Sequence, residues 1–274
     1  MISIITAVHN QLAINKIFLE YLKKYTHHPY ELIIIDNNST DGTREFFKEN
    51  GAIVIENDAN YSYPYTQNQG IKAAKYDVFA FLNNDITVAP NWDKHILEAM
   101  KANALDVATV CGIERLESKE VTKEYGRRWK RIKNIISFFN RSEWSFRLMH
   151  QLMYGNWEKF SEARHQQFGN KCIEGFVGNS VVFTRRALDL LGLYDERIQA
   201  ADFDLYVRAK KRFLEHGDIK PCYIALGVYN HHYIRVTLKS KPPVFADASQ
   251  MIKLEDKWTA EELALYMKDN VTTW

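Results

Sequence analysis

Short apolar runs, rich in β-branched and aromatic side chains, recur along the first part of the chain. The runs Ile2–Val8, 31–36, 52–56 and Val78–Leu82 are of this kind, which predicts strands buried on both faces of a sheet. Between them, apolar residues recur at helical spacing, as in the segment 14–22. Alternating strands and helices over roughly the first 110 residues predict a mostly parallel sheet that is covered by helices.

Polar residues and one glycine follow these strands or begin the neighbouring helices. They are His9, Asn10, Asp36, Asn68, Gly70, Asn83, Asn84 and Asp85. Right-handed crossovers bring the carboxyl ends of parallel strands to one edge, where α/β sheets bind ligands, so we expect these residues to converge. In a nucleotide site Asp36 suits a bond to the base or ribose, and Asp85 suits a cation at a diphosphate. The alternative for 83–85 is an Asn/Asp turn that closes a strand.

The segment 115–171 differs from the rest in charge and aromatic content. It contains thirteen Lys and Arg against six Asp and Glu, with ten aromatic residues interleaved. Two functional interpretations compete: an insertion that binds a phosphate-bearing or lipid-linked acceptor, and helices that lie on an anionic membrane. A purely structural interpretation is a helical hairpin with its aromatic residues in the core and its charges in solvent. No recognised nucleic-acid module accompanies the basic residues, so nucleic acid is not predicted as a partner.

Regular structure is predicted again after residue 173. Gly175 and Gly178 allow close backbone approach, and 181–184 reads as a strand. A helix that begins near Ala201 places Asp202 in its first turn, where an Asp commonly caps the helix.

Two further features lie towards the C-terminus. His231 and His232 follow a strand-like segment, 219–226, and are either ligands of a cation or an ordinary surface pair. The segment 245–274 reads as amphipathic helices that pack on the core or on a second subunit, so a homodimer is left open.

Composition narrows these predictions. The chain has 274 residues, of which 46% are hydrophobic, and its net charge of +2 calls for no strongly charged partner. Three separate cysteines indicate neither a disulfide framework nor a zinc site and suit a reducing compartment. There is no basic leader and no apolar run of about 18 residues. We therefore expect a cytoplasmic protein, with peripheral contact to the inner face of the membrane through 115–171 left open.

Three strings in the first half carry a family resemblance. SIITAVHN at 3–10, LIIIDNNSTDGT at 32–43 and FLNNDI at 81–86 resemble the nucleotide-sugar half of family 2 glycosyltransferases, which are inverting enzymes of the GT-A fold. The resemblance implies that Asp36 contacts the nucleobase and that Asp85 coordinates the divalent cation, Mn²⁺ or Mg²⁺, at the diphosphate. The other donor-binding positions that it implies are Thr6, Ala7, His9, Asn10, Asn38, Asn68, Gly70, Asn83 and Asn84. Asn83 stands where many members have an acid.

The resemblance continues in the second half of the chain. GLYDE at 192–196 and ADFDLYVR at 201–208 are similar to the GxxDE turn and the EDxDLxxR helix start of the family. This implies that Asp202 is the catalytic base, with Ala201 in place of the preceding Glu. An inverting transfer needs one carboxylate to take the acceptor proton and a cation at the departing diphosphate, without a second carboxylate as nucleophile.

A weaker match involves the histidine pair. VYNHHYIRVT at 228–237 is similar to an HxxGxT pattern of the family, which His232 and Thr237 fit better than His231 does. The resemblance implies that His232 completes the metal or diphosphate site. Arg235 occupies the glycine position of the pattern.

Together with the resemblance, these observations predict a single GT-A type α/β domain with a mostly parallel, Rossmann-like sheet flanked by helices. Its predicted parts are a nucleotide-sugar half (1–111), a helical basic and aromatic insertion (112–172), an acceptor and catalytic half (173–240) and a C-terminal helical tail (241–274).

The predicted function is metal-assisted, inverting transfer of a sugar from a UDP- or dTDP-sugar to a hydroxyl of a glycan or lipid-linked acceptor, in cell-surface polysaccharide synthesis. One alternative is a catalytically impaired protein of the same fold that binds carbohydrate or a partner. The other is a nucleotidyltransferase, although the chain has no glycine-rich basic loop for a triphosphate after its first strand.

Overall fold

The computed structural model describes residues 1–139, 142–234 and 243–267, with the side chains of 137–139 left out. Its strands are β1 (Ile2–Val8), β2 (Tyr30–Asn37), β3 (Ile53–Asn57), β4 (Val78–Leu82), β5 (Ile86–Thr87), β6 (Val107–Cys111), β7 (Cys172–Glu174), β8 (Ser180–Thr184), β9 (Tyr223–Tyr229) and β10 (His231–His232). Its helices are α1 (Leu12–Tyr25), α2 (Thr43–Glu49), α3 (Tyr63–Ala73), α4 (Trp92–Asn103), α5 (Lys119–Phe139), α6 (Glu143–Tyr154), α7 (Trp157–Phe168), α8 (Arg185–Leu191), α9 (Ala201–His216), α10 (Leu254–Lys257) and α11 (Ala260–Tyr266). Arg235 and Thr237 of the predicted histidine pattern lie outside the described residues.

The described chain forms a main sheet of eight strands in the order β3-β2-β1-β4-β8-β6-β9-β7. The strands β3, β2, β1 and β4 are parallel neighbours, and β6 is parallel to β9. The strands β8 and β7 run antiparallel to their neighbours. The prediction of a mostly parallel sheet is confirmed, and the carboxyl ends of β1, β2 and β4 meet at one edge.

Helices cover both faces of the sheet because side chains alternate between its faces along each strand. On one face Ile4 of β1 belongs to the apolar cluster that includes Phe18 of α1 and Trp92 of α4. On the other face Ile5 belongs to the cluster that includes Phe81 of β4 and Leu205 of α9. These two layers hold β1 rigidly, so that its carboxyl end can position a site.

The basic and aromatic segment belongs to the first of these layers. Trp129 of α5, Phe146 of α6 and Trp157 of α7 are buried in the same cluster as Ile4. The indole Nε1 of Trp157 donates to the Val88 carbonyl oxygen at 3.1 Å. The interpretation of the aromatic residues as core is correct for these three. Within the described residues no helix has both the length and the apolar content to cross a bilayer.

The C-terminal helices pack on the core of their own chain, which is one of the two locations predicted for them. Trp258 and Tyr266 form a small apolar cluster with Val207 of α9. The indole Nε1 of Trp258 also donates to Oδ1 of Asp204 at 2.8 Å.

Prolines affect the start of two elements. The helix α3 begins at Tyr63, since Pro64 is tolerated in the first turn of a helix. The strand β9 begins at Tyr223 and not at residue 219, since Pro221 has no N–H to donate to a ladder.

Candidate active site

Asp36 lies near the carboxyl end of β2 and is fully buried. Its Oδ2 accepts hydrogen bonds from the Ser39 N–H at 3.2 Å and from Nε of Arg44 at 2.7 Å. Its Oδ1 is buried and has no hydrogen-bond partner in the described part of the chain. A buried acceptor without a donor costs about 1–3 kcal/mol, so a ligand N–H that reached this atom would be bound favourably.

The loop after β1 is tied to the loop after β2. Asn10 has a left-handed backbone with φ of 57°, and its Oδ1 accepts a hydrogen bond from the Thr40 N–H at 2.7 Å. Nδ1 of His9 lies 2.7 Å from the Asn37 carbonyl oxygen. Asn38 is exposed and also left-handed, with φ of 59°, a conformation that Asn tolerates. His9, Asn10 and Asn38 therefore share the edge at which β1 and β2 end.

Thr6 and Ala7 precede this loop on β1, where they pair with Ile34 and Ile35 of β2. Thr6 is fully buried, and its Oγ1 finds no partner within the residues that the structure describes. Ala7 is partly exposed and packs against the apolar cluster of Ile5. Their contact with the donor remains a prediction.

Asn68 and Gly70 make contacts within the fold, and their contact with the donor remains a prediction. Nδ2 of Asn68 donates to the Tyr194 carbonyl oxygen and to Oε1 of Glu196, both at 2.9 Å. Its Oδ1 accepts from the Tyr194 N–H at 3.0 Å, so the amide is fully used in holding the turn before α9. Gly70 lets α3 pack closely on β1, since a Cβ at this position would overlap Ile5.

Asn83 and Asn84 follow β4 but face different neighbours. Nδ2 of Asn84 donates to Oδ1 of Asn15 in α1 at 2.7 Å, and Asn15 in turn donates to the Asn10 carbonyl oxygen at 2.9 Å. Asn84 therefore links the loops after β4 and β1. The backbone N–H of Asn83 donates to the Asn179 carbonyl oxygen at 3.0 Å.

Asp85 and His232 come together although they are distant in the sequence. The strand β10 pairs antiparallel with β5, which places His232 opposite Ile86. The Tyr233 N–H donates to the Asp85 carbonyl oxygen at 2.9 Å. As a result, Nε2 of His232 lies 3.1 Å from Oδ1 of Asp85. A carboxylate oxygen and an imidazole nitrogen side by side are a suitable donor set for Mn²⁺.

Glu114 supports His232 from the other side. Its Oε1 is hydrogen-bonded to Nδ1 of His232, and its Oε2 accepts from Nδ2 of Asn179 at 3.1 Å. Burial by itself would lower the pKa of His232, but the charges of Asp85 and Glu114 outweigh burial and raise this pKa well above its usual value. A carboxylate on the far nitrogen of a histidine is the usual way to fix a metal-binding imidazole.

His231 does not join this pair. It is fully buried, and its Nδ1 lies 2.8 Å from the hydroxyl of Tyr154. Burial lowers the pKa of His231 well below its usual value. The alternative of a surface histidine pair is therefore wrong, and His232 alone faces Asp85.

Asp202 is connected to the Asp85–His232 pair through a short turn. Asn179 contacts Glu114, and the preceding Gly178 lies so close to Asp202 that a Cβ would overlap Oδ2 of its carboxylate. The turn thus contacts both the carboxylate of Asp202 and Glu114, which is bonded to His232.

The surroundings of Asp202 suit a base better than a helix cap. The N-cap of α9 is Ala200, and no side chain caps this helix, so the helix-cap alternative is wrong. Oδ1 of Asp202 is buried without a hydrogen-bond partner among the described residues. Burial raises the pKa of Asp202 to about 7, while the hydroxyl of Tyr63 acts in the opposite direction. A carboxyl group that titrates near neutral pH is well matched to accepting a proton.

With this geometry established, similarity to known sequences decides the family. The sequence model described as Glycosyl transferase family 2 matches residues 3–179, which is more than half of the chain. The chain belongs to glycosyltransferase family 2. The match includes the positions of Asp36, Asp85 and Glu114 and ends at Asn179.

Two curated relatives of this family 2 chain are polysaccharide synthases. Chondroitin synthase from Escherichia coli is 24% identical over 204 residues, which cover 71% of this chain and 29% of the relative. Hyaluronan synthase from Pasteurella multocida is 22% identical over 207 residues, which cover 71% of this chain and 21% of the relative. The chain therefore spans less than a third of the length of either protein.

Solved structures resemble the family 2 chain in fold. A mannosyltransferase from Pyrobaculum calidifontis in complex with GDP-Man and Mn²⁺ has a TM-score of 0.54 at 13% identity, covering 86% of this chain and 57% of the other. GalNAc-T7 with UDP, GalNAc and Mn²⁺ has a TM-score of 0.55 at 14% identity, covering 85% and 43%. The likeness confirms the predicted GT-A fold.

Sequence reasoning missed three residues of this family 2 site: Glu114, Asn179 and Tyr63. Glu114 could have been found, because it follows the end of β6 just as Asp85 follows β4. Asn179 and Tyr63 carry no comparable signal, because their roles depend on how the 178–179 turn and the start of α3 pack beside Asp202.

Proposed function

We propose that the chain transfers a sugar, with inversion, from a UDP- or dTDP-sugar to a hydroxyl of a glycan or lipid-linked acceptor. The observation that carries this proposal is that the 178–179 turn contacts Asp202 through Gly178 and contacts Glu114, the hydrogen-bond partner of His232, through Asn179. An inverting transfer needs a base on the acceptor side and a cation on the diphosphate side.

The residues divide the chemistry between them. The carboxylate of Asp202 accepts the hydroxyl proton as the acceptor oxygen attacks the anomeric carbon, and the bond from that carbon to the diphosphate breaks. Asp85 and His232 would hold Mn²⁺ or Mg²⁺, with Glu114 orienting His232. The cation, when bound, neutralises the charge that develops on the departing diphosphate.

We propose which nucleobase the sugar donor carries from Oδ1 of Asp36, the oxygen without a hydrogen-bond partner among the described residues. Uracil and thymine carry an N3–H that can donate to a carboxylate, whereas cytosine has no hydrogen at this atom. Oδ1 of Asp36 is the buried acceptor that such a donor would satisfy, and Arg44 and Ser39 hold Oδ2 in place.

Ala201 bears on the alternative of an impaired enzyme. Its side chain is 1% exposed and belongs to the apolar cluster of Ile5 and Leu205. A residue that faces the core contributes little to substrate binding, so the loss of an acid at this position does not favour the impaired alternative. The nucleotidyltransferase alternative lacks a glycine-rich basic loop for a triphosphate after β1.

Asp202→Asn tests the proposal. With a panel of UDP- and dTDP-sugars and Mn²⁺, we expect turnover to fall by roughly 10²–10⁴-fold while the Kd for UDP stays unchanged, because only proton transfer is lost. Asp189→Asn, a substitution on the separate helix α8, is the matched control. Equal turnover by wild type and Asp202→Asn would remove Asp202 as the base.

For acceptor binding, we propose that the protein contacts an anionic membrane through the segment 115–171. Ile135, Trp144 and Leu152 of this segment are 60%, 68% and 49% exposed, although Trp129, Phe146 and Trp157 are buried. Basic residues of α5 lie within a few positions of Ile135 in the sequence, which is a combination that favours an anionic interface.

Co-sedimentation with liposomes tests this contact. We expect salt-sensitive binding to vesicles that contain phosphatidylglycerol, weaker binding to phosphatidylcholine, and reduced binding by Trp144→Ser. Leu265→Ser, at an exposed position of α11, is the control. Equal binding to both vesicle types, or none, would end the membrane proposal and leave a soluble glycan as the acceptor.

A further inference from the structure

Three potential metal ligands lie together away from the donor site, between α4 and α7. His95 and Glu98 are three residues apart on α4, so they share one face of that helix. His165 comes from the last turn of α7. One ligand atom from each of these residues lies within 4.8 Å of the other two.

The two imidazoles are already placed against each other. The rings of His95 and His165 are stacked, with centroids 3.6 Å apart and planes within 6°. Nδ1 of His165 is buried and makes no hydrogen bond within the described residues. Burial has removed the water that would otherwise bond to this nitrogen. With a second imidazole and a carboxylate beside it, the nitrogen is available to bind a ligand.

The charge around the cluster suits a cation. The carboxylates of Glu98 and Glu162 act electrostatically on His95 from nearby, and Lys94 acts in the opposite direction. Imidazole binds a metal ion in its neutral form.

We propose that His95, Glu98 and His165 form a binding site for a transition-metal ion such as Zn²⁺. Two imidazole nitrogens and one carboxylate oxygen, with water as the fourth ligand, are a donor set that Zn²⁺ accepts. Mg²⁺ prefers all-oxygen sites and is not expected to bind here.

An ion bound at this site would act as a clamp that holds two helices together. The helix α4 belongs to the nucleotide-binding half of the sheet, and α7 belongs to the basic and aromatic segment. An ion held by both would fix this segment to the sheet and stabilise the folded chain. The clamp is independent of the sugar-transfer proposal, because it shares no residue with that site.

Metal titration of the full chain tests the proposal. The substitution Asp85→Asn, present in every protein used, removes the other candidate cation site. We expect one equivalent of Zn²⁺ by calorimetry, a rise in Tm with Zn²⁺ but not with Mg²⁺, and visible absorption bands typical of four- or five-coordinate Co²⁺.

Variants assign the binding to these side chains. His165→Ala and the exposed, conservative change Glu98→Gln should each weaken Zn²⁺ binding by at least about tenfold. His216→Gln, at a histidine exposed on α9, is the control and should bind like its parent. Unchanged Zn²⁺ affinity in folded Glu98→Gln and His165→Ala, or no Zn²⁺ binding by the parent, would overturn the proposal.

Discussion

Asp202 and Asp204 stand two residues apart in the first turn of α9 but have different surroundings. Asp202 has a buried oxygen without a partner in the described chain, and its pKa is raised to about 7 by burial. Asp204 is fully buried and accepts hydrogen bonds from Nε of Arg208 and Nε1 of Trp258, both at 2.8 Å. Asp202 in its ionised form therefore lowers the stability of the folded chain, whereas Asp204 raises it.

The cost of Asp202 can be measured through pH. A carboxyl with a pKa of about 7 when folded and about 4 when unfolded binds more protons in the folded state, so stability is full below pH 4 and declines as pH rises towards 7. The loss amounts to at most ~4 kcal/mol above pH 7. We expect Asp202→Asn to raise the free energy of unfolding at pH 8 by roughly 2–4 kcal/mol and to change it little at pH 4.

Urea denaturation of both proteins at the two pH values would measure this difference. Since Asn has nearly the shape of a protonated Asp, the comparison isolates the charge. A stability difference that is the same at pH 4 and pH 8 would contradict the raised pKa of Asp202.

Glu114 offers a second test at the scale of single residues. Glu114→Gln removes the charge that faces Nδ1 of His232 while keeping the size of the side chain. We expect the Kd for Mn²⁺ in the presence of UDP to rise by roughly 10–100-fold, because a neutral amide binds Nδ1–H of His232 more weakly than a carboxylate and makes Nε2 a weaker ligand. Paramagnetic resonance of free Mn²⁺ measures this Kd.

The matched control for Glu114→Gln is Glu120→Gln, at an exposed position on α5. It should leave the Kd for Mn²⁺ at the wild-type value. If Glu114→Gln also bound Mn²⁺ as wild type does, Glu114 would have no part in orienting His232.

Among the secondary structure elements, α9 joins the sheet to the C-terminal helices through Asp204. Nζ of Lys257 lies 2.7 Å from Oδ1 of Asp204, and Trp258 and Tyr266 pack on Val207 of α9. Asp204→Asn should lower the free energy of unfolding by roughly 3 kcal/mol, because Arg208 and Lys257 lose a buried counter-charge.

Thermal unfolding with and without UDP and Mn²⁺ would separate this effect from one on the site. We expect a lower Tm for Asp204→Asn but the same ligand-induced rise as in wild type. A loss of the ligand-induced rise would place Asp204 in the binding machinery and contradict its structural role.

At the scale of elements, the sequence pattern predicted where strands lie but not which contacts individual side chains make. The buried strands β1, β2 and β4 were predictable because long runs of β-branched and aromatic residues have few other stable conformations. Sequence spacing predicted that Asn68 and Gly70 lie near this edge, but it could not predict that the Asn68 amide bonds to Tyr194 and Glu196. The proximity of His232 to Asp85 depends on the pairing of β10 with β5, which no local pattern encodes.

At the scale of the whole molecule, the proposed site lies where loops from distant parts of the chain meet. The segment 243–247 also reaches the loop after β3, where Oδ2 of Asp247 accepts from Oγ of Ser62 at 2.5 Å and Nδ2 of Asn60 donates to the Pro243 carbonyl oxygen at 2.8 Å. We expect a nucleotide bound at the proposed site to stabilise the fold, since the loops after β1 and β2 that would contact it are also joined by hydrogen bonds.

This coupling makes thermal stability a direct test of the proposed donor site. UDP at about 100 times its Kd should add ~2.7 kcal/mol to the free energy of unfolding, which corresponds to a rise in Tm of roughly 5–10 °C for a chain of this size. With Mn²⁺ present, UDP and dTDP should act alike, whereas CDP should be weaker because it has no N3–H for Oδ1 of Asp36. EDTA should abolish most of the rise, and Asp36→Ala should reduce the difference between UDP and CDP. An equal rise with UDP and CDP in the wild type would refute base recognition by Asp36, and an undiminished rise in EDTA would refute the role of the cation at Asp85 and His232.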